Sequence, residues 1–143
     1  EAERELNVHF VSAEELVAQS DYVCMLMPLF PETEQTLGRD FFARMKPGAI
    51  FVSCGGSGVV VDEALAEACA SGHLYGAAVD TFTFEPIAAD SPLLPVARQP
   101  QANLVLTPHT AAGAAAANAV ERSEDYDNFI RFLRGEELIG RLV

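Results

Sequence analysis

The chain has 143 residues, half of them hydrophobic, and a formal net charge of −12. That length suffices for one folded domain with a real core, and the acidic balance repels phosphate backbones and anionic membranes, so nucleic acid is not an expected partner. No apolar run approaches the ~20 residues of a membrane-spanning helix, and the charged amino terminus does not have the form of a signal peptide, so the expected location is cytoplasmic.

The elements follow in chain order. Val8–Val11 has the form of a short strand, and Ser12-Ala13-Glu14-Glu15 is a capping box that opens a helix to about Gln19. Tyr22–Met27 is an unbroken apolar run stopped by Pro28, which predicts a strand buried on both faces. After a polar turn, a short helix is expected from about Asp40 to Met45, and Lys46-Pro47-Gly48 makes a turn. Ala49–Ser53 is the next strand, Gly55–Gly58 a glycine-rich crossing, and Asp62 the N-cap of a helix to about Ala70, closed by Gly72. Tyr75–Val79 is a third strand ending at Asp80. Thr81–Asn103 holds Pro86, Pro92, Pro95 and Pro100 and is expected to be an ordered loop. Leu104–Leu106 is a last strand, stopped by Thr107-Pro108-His109, and a helix from about Ala114 to Arg134 ends at Gly135.

Short apolar strands alternating with helices predict an α/β fold, an incomplete Rossmann-like parallel sheet with helices on both faces. The whole chain is expected to be a single partial nucleotide-binding-type domain. Cys24, Cys54 and Cys69 lack C-x-x-C spacing, so no metal site is expected, and Cys24 and Cys54 are expected to be small buried strand residues.

In a parallel sheet the carboxyl ends of the strands meet on one edge, where ligands bind. That edge would gather the Gly55–Gly58 turn, Asp80 with Glu85 beyond it, and His109. A carboxylate beside an imidazole is an acid–base arrangement, although Glu85 could equally be a solvated loop charge and His109 a structural residue.

The chain resembles the NAD-binding domain of the D-isomer-specific 2-hydroxyacid dehydrogenases from about Leu6 to Val143. The matching segments include Met27-Pro28-Leu29 with Pro31-Glu32-Thr33, Met45–Ala49, Val61–Leu65, Gly72–Asp80, Glu85-Pro86 and Leu106–His109. The resemblance implies His109 as general acid/base and Glu85 as the carboxylate that holds it. It implies Asp80, Pro28 and Gly113 beside an NAD or NADP nicotinamide, a small-molecule substrate, and a homodimer or other homo-oligomer. Two departures stand out. The family's substrate-gripping Arg falls on Gly56, or on Ser57 with a one-residue shift, and neither replaces a guanidinium fork. The family's G-x-G-x-x-G turn is absent from the sequence, and with it the helix start that holds a pyrophosphate.

The chain also begins with Glu1 rather than Met. The expectation is therefore the C-terminal portion of a NAD(P)-dependent oxidoreductase, without its substrate domain and its first strand–turn–helix unit, not competent for hydride transfer alone. The alternatives are a natural short homologue doing cofactor-free isomerase, cyclase or lyase chemistry with Glu85 and His109, and a non-catalytic oligomerising or binding module.

Overall fold

A computed structural model describes residues 2–111 and 126–139. The chain divides into two compact units, Glu1–His109 and Thr110–Val143. The first holds α1 (Ala2–Leu6), α2 (Ala13–Gln19), β1 (Tyr22–Met25), α3 (Arg39–Arg44), β2 (Ile50–Ser53), α4 (Asp62–Ala70), β3 (Gly76–Val79), α5 (Leu93–Ala97) and β4 (Leu104–Leu106).

The four strands form one parallel sheet in the order β1-β2-β3-β4. Each crossover moves one strand onward in the same direction, and right-handed crossovers then lay their helices on a single side. Burial follows that side. Val23, Met25, Phe51, Ser53, Ala77, Val79 and Leu104 are buried, and Phe51 packs edge-on against Phe42 with ring centroids 5.1 Å apart. Fully buried Met45, Leu65, Leu74 and Leu93 complete this core. The α/β class and the Rossmann-like parallel sheet are as the sequence predicts, but the described crossover helices lie on one face of the sheet and not on both, because every crossover steps the same way.

Several local expectations are corrected. Residues 8–12 form no strand; Val8, Phe10 and Val11 are exposed and pair with no ladder, and the preceding residues make the short α1 instead. β1 is shorter than its apolar run and is buried on one face, with Tyr22 68% exposed, because the crossover helices cover only the side of Val23 and Met25. Cys24 sits in register with Val52 on the opposite side, so Cys24 and Cys54 are exposed; Cys69, on α4, is the buried thiol. Asp62 is the first residue of α4 rather than its cap, and Val61 takes the cap position without a side-chain bond. The proline-rich 81–103 segment is not all loop: it builds α5 and a 3-10 turn at Pro100–Ala102. Pro95 sits in the first turn of α5, where no amide is needed, so Leu93 and Val96 still reach the core.

The capping box forms as read. Glu15 N donates to Ser12 Oγ at 3.2 Å, and Ser12 N donates to Glu15 Oε2 at 3.1 Å. The Ser12 amide, and after it the Ser12 hydroxyl, donate to the Glu15 carboxylate and hold it below its ordinary range.

In the second unit, residues 126–134 are helical. Gly135, at φ 68°, ends the helix with a Schellman closure: Glu136 N donates to Arg131 O and Gly135 N to Phe132 O. Asn128 brackets Ile139, accepting from its N–H and donating to its carbonyl. The remainder of the expected Ala114–Arg134 helix, and Gly113, lie outside the described residues. Among the described residues no helix is long and apolar enough to cross a membrane.

Candidate active site

The carboxyl ends of β2, β3 and β4 bring together what the sequence placed there. Past β4, Thr107 N continues the ladder to Val79 O at 3.0 Å. Pro108 then turns the chain tightly, and His109 N donates back to Thr107 O at 2.9 Å, the bond of a γ-turn. His109 takes a left-handed backbone, φ 53°, a conformation in which His is commoner than most residues. Its ring reaches Glu85, and the Nδ1–Oε2 distance is 2.9 Å.

Glu85 is itself fixed. Its Oε1 accepts from Phe82 N at 3.2 Å, so one oxygen is held by backbone and the other faces the imidazole. A carboxylate on Nδ1 places the proton there in the neutral ring and leaves Nε2 as the atom that can exchange a proton with a ligand. The hydrogen bond to Glu85, then its charge and that of Asp80, raise the His109 pKa above the ordinary 6.5. The same bond, aided by Phe82 N, lowers that of Glu85. Both side chains remain partly open to solvent.

Asp80 is buried at the end of β3, its amide donating to Ser53 O at 2.9 Å. The Thr107 hydroxyl donates to its carboxylate, tying the ends of β3 and β4 together. Glu85 and Thr107 also line a cavity of about 420 Å³, walled otherwise by Phe82, Pro86, Ile87, Leu94, Leu106 and Pro108.

The glycine turn closes on another segment. Gly56 N donates to Met27 O at 2.8 Å, and Thr81 Oγ1 donates to Gly55 O at 2.8 Å. A Cβ on Gly56 would stand 2.3 Å from Leu29 N and 2.9 Å from Leu29 Cβ; one on Gly55 would stand 2.6 Å from Met27 O. Residues 28–30 are held from the other side by Thr33, whose hydroxyl accepts from Phe30 N at 2.8 Å and donates to Pro28 O at 2.9 Å. Gly58, at φ 89°, supplies the left-handed step that lets Val59 N close on Gly56 O. Ser57 is half-buried within this turn, and Pro28 is exposed on its rim.

Thus Glu85, His109, Asp80, Pro28, Gly56 and Ser57 all lie on the strand-end side of the first unit. Thr81, Thr107 and the Phe82 amide are positioning groups that the sequence reading did not single out. A threonine placed just beyond each of two strand ends was the available signal. His73 is structural: its Nε2 sits 2.9 Å from Phe42 O and 3.1 Å from Met45 O. Among the described residues no cluster of three metal-ligating side chains occurs.

These residues fit the nicotinamide end of a dinucleotide: a proton-exchanging imidazole, a buried carboxylate and an exposed proline rim. They offer no seat for its pyrophosphate. The one glycine-rich crossing is filled by its contact with Met27–Leu29, and α4 after it begins with Asp62 and Glu63, which disfavour an anion at a helix start.

Residues 1–111 match the family described as D-isomer specific 2-hydroxyacid dehydrogenase, NAD binding domain. The chain is 36% identical over 136 residues to glyoxylate/hydroxypyruvate reductase B of Shigella boydii, covering 95% of this chain and 40% of that protein. Its fold is similar to the holo form of Rhodotorula graminis D-mandelate dehydrogenase, with TM-score 0.80 and 30% identity over 99% of this chain and 41% of that one. It is similar also to the NAD-dependent formate dehydrogenase of Staphylococcus aureus in complex with NAD, with TM-score 0.75 and 31% identity over 93% and 39% of the two chains. The chain therefore spans about 40% of the length of the curated relatives it matches.

Proposed function

Since the chain belongs to the D-isomer-specific 2-hydroxyacid dehydrogenase family as part of its NAD-binding domain, we propose that it forms the nicotinamide-side portion of a NAD(P)-dependent oxidoreductase acting on a small molecule. The Glu85–His109 pair carries this reading. When bound, the nicotinamide supplies or takes the hydride. His109 Nε2 gives its proton to the oxygen of the carbonyl being reduced and takes the hydroxyl proton in the opposite direction. Glu85 orients the ring and stabilises its charged form, and Phe82 N keeps Glu85 in place. Asp80, to which Thr107 donates, and Pro28 are the groups that would hold the nicotinamide, Asp80 by accepting from its carboxamide.

The described residues offer no pyrophosphate seat and the sequence lacks a G-x-G-x-x-G turn, so the 143-residue chain alone is expected to bind NADH or NADPH weakly and not to complete hydride transfer. Titration of this polypeptide with each nucleotide checks that, and sub-millimolar binding would overturn it. In an enzyme containing this chain, His109→Gln should lower turnover by roughly 10²–10⁴-fold with nucleotide affinity preserved. Unchanged turnover would remove the acid–base role. Assembly as a homo-oligomer and a cytoplasmic location are part of the same proposal.

A further inference from the structure

We infer that this strand edge takes an uncharged carbonyl compound or its alcohol, and not a substrate gripped through a carboxylate. The inference rests on the acid–base reading of Glu85 and His109 and adds the substrate class. Three observations carry it.

The first is steric. In the ungapped alignment Gly56 holds the place of the family's guanidinium, and the structure leaves no room there for even a Cβ, which would stand 2.3 Å from Leu29 N. The obstacle is backbone, and Thr33 fastens that backbone through its bonds to Phe30 N and Pro28 O. Met27 O is likewise committed to Gly56 N at 2.8 Å. The turn is therefore packed as a glycine turn, and a side chain at position 56 has no path into the site while Leu29 stays where it is.

The second is charge. The segments that leave the strand ends, residues 26–38, 54–61, 80–92 and 107–109, contain no Lys or Arg, and they carry Glu32, Glu34, Asp80, Glu85 and Asp90. Arg39 is paired with Glu67 at 2.7 Å, and Arg44 reaches Glu14 at 3.3 Å. Lys46, before β2 and so at the opposite edge, is paired with Asp21. From these segments a carboxylate arriving beside His109 would meet no cation but the imidazole, with Glu85 already on it and the Asp80 carboxylate buried at the end of β3. The third is the cavity that Glu85 lines, whose walls apart from Glu85 and Thr107 are apolar and accommodate carbon rather than charge.

The test is ligand binding read at His109 by proton NMR on the 143-residue chain near pH 6, with His109→Gln assigning its ring signals among those of His9, His73 and His109. The probes are hydroxyacetone, an uncharged hydroxyketone, and oxamate, an anion that mimics a 2-keto acid. Hydroxyacetone is expected to move the His109 signals saturably, with oxamate weaker by at least roughly tenfold in apparent affinity. Gly56→Arg should melt lower than the parent chain and gain no oxamate binding. The inference is overturned if oxamate binds as well as the ketone, if the ketone gives no response, or if Gly56→Arg keeps the parent melting temperature and acquires oxamate binding. Failure of the underlying acid–base reading is recognised separately, without ligand, as a His109 titration that Glu85→Gln leaves unchanged.

Discussion

Gly56→Ala adds one methyl group at the most crowded point of the glycine turn, and its cost can be worked out from the contacts. The new Cβ would lie 2.3 Å from Leu29 N, 2.9 Å from Leu29 Cβ and 3.0 Å from Pro28 C. Ordinary contact starts near 3.4 Å, so turn and segment must part by about an ångström. Overpacking of this kind costs about 1–3 kcal/mol. Parting also lengthens the 2.8 Å bond from Gly56 N to Met27 O, worth about 1 kcal/mol. Against this, replacing Gly by Ala restricts the unfolded chain and returns about 0.4–1 kcal/mol. The net expectation is a loss of about 1–3 kcal/mol. For a chain of this size each kcal/mol lowers the melting temperature by about 3–5 °C, so a fall of roughly 3–15 °C should appear in circular dichroism melting. Ser57→Ala, one residue along the same turn, is the control and should stay within about 0.5 kcal/mol of the parent. A Gly56→Ala protein melting within about 1 °C of the parent would show that Leu29 yields freely, and would remove the steric argument about this turn.

Three further outcomes are expected. Glu85→Gln should bring the His109 pKa back down toward 6.5, read by NMR titration, because the hydrogen bond and charge that raise it are lost. In the parent chain the raised value stabilises the folded state fully below the unfolded pKa, and this contribution is lost as pH rises through the folded one; Glu85→Gln should weaken that pH dependence, leaving only the contribution of Asp80, and an unshifted titration would contradict the geometry. Thr107→Val should destabilise the chain by about 1–3 kcal/mol in denaturant unfolding, since the buried Asp80 carboxylate loses a donor; a neutral result would show that Asp80 is satisfied without it. Of the three cysteines, Cys24 and Cys54 should react with a disulfide reagent in the native protein and Cys69, buried and with its thiol pushed up to about 11, only on unfolding. Cys54 should lag behind a model thiol, because partial burial, then Asp80 and Cys24, raise its pKa. Native modification of Cys69 would show that α4 opens readily.

Much of the fold was legible because it is written in local chemistry. The Ser12–Glu15 box, the helix stop at Gly135 and the apolar runs of β1 to β4 depend on neighbours within a few residues. The parallel order of strands then puts 55–58, 80–85 and 109 on one edge by topology alone, and the spacing of Glu85 and His109 within family motifs marked them as partners.

What needed the tertiary structure was everything decided by segments distant in sequence. The exposure of Cys24 and Cys54 follows from which side of the sheet the crossover helices cover, and an apolar run such as Tyr22–Met27 does not encode that. The 81–103 segment looked like loop because prolines dominate its composition, yet burial of Leu93 and Val96 against the core stabilises α5. Above all, the sequence determined that position 56 is a glycine where a guanidinium was expected. Only the approach of Met27–Leu29, held by Thr33, decided that this position has no space for a side chain, because room for a Cβ is set by whatever packs against it and not by the residues beside it.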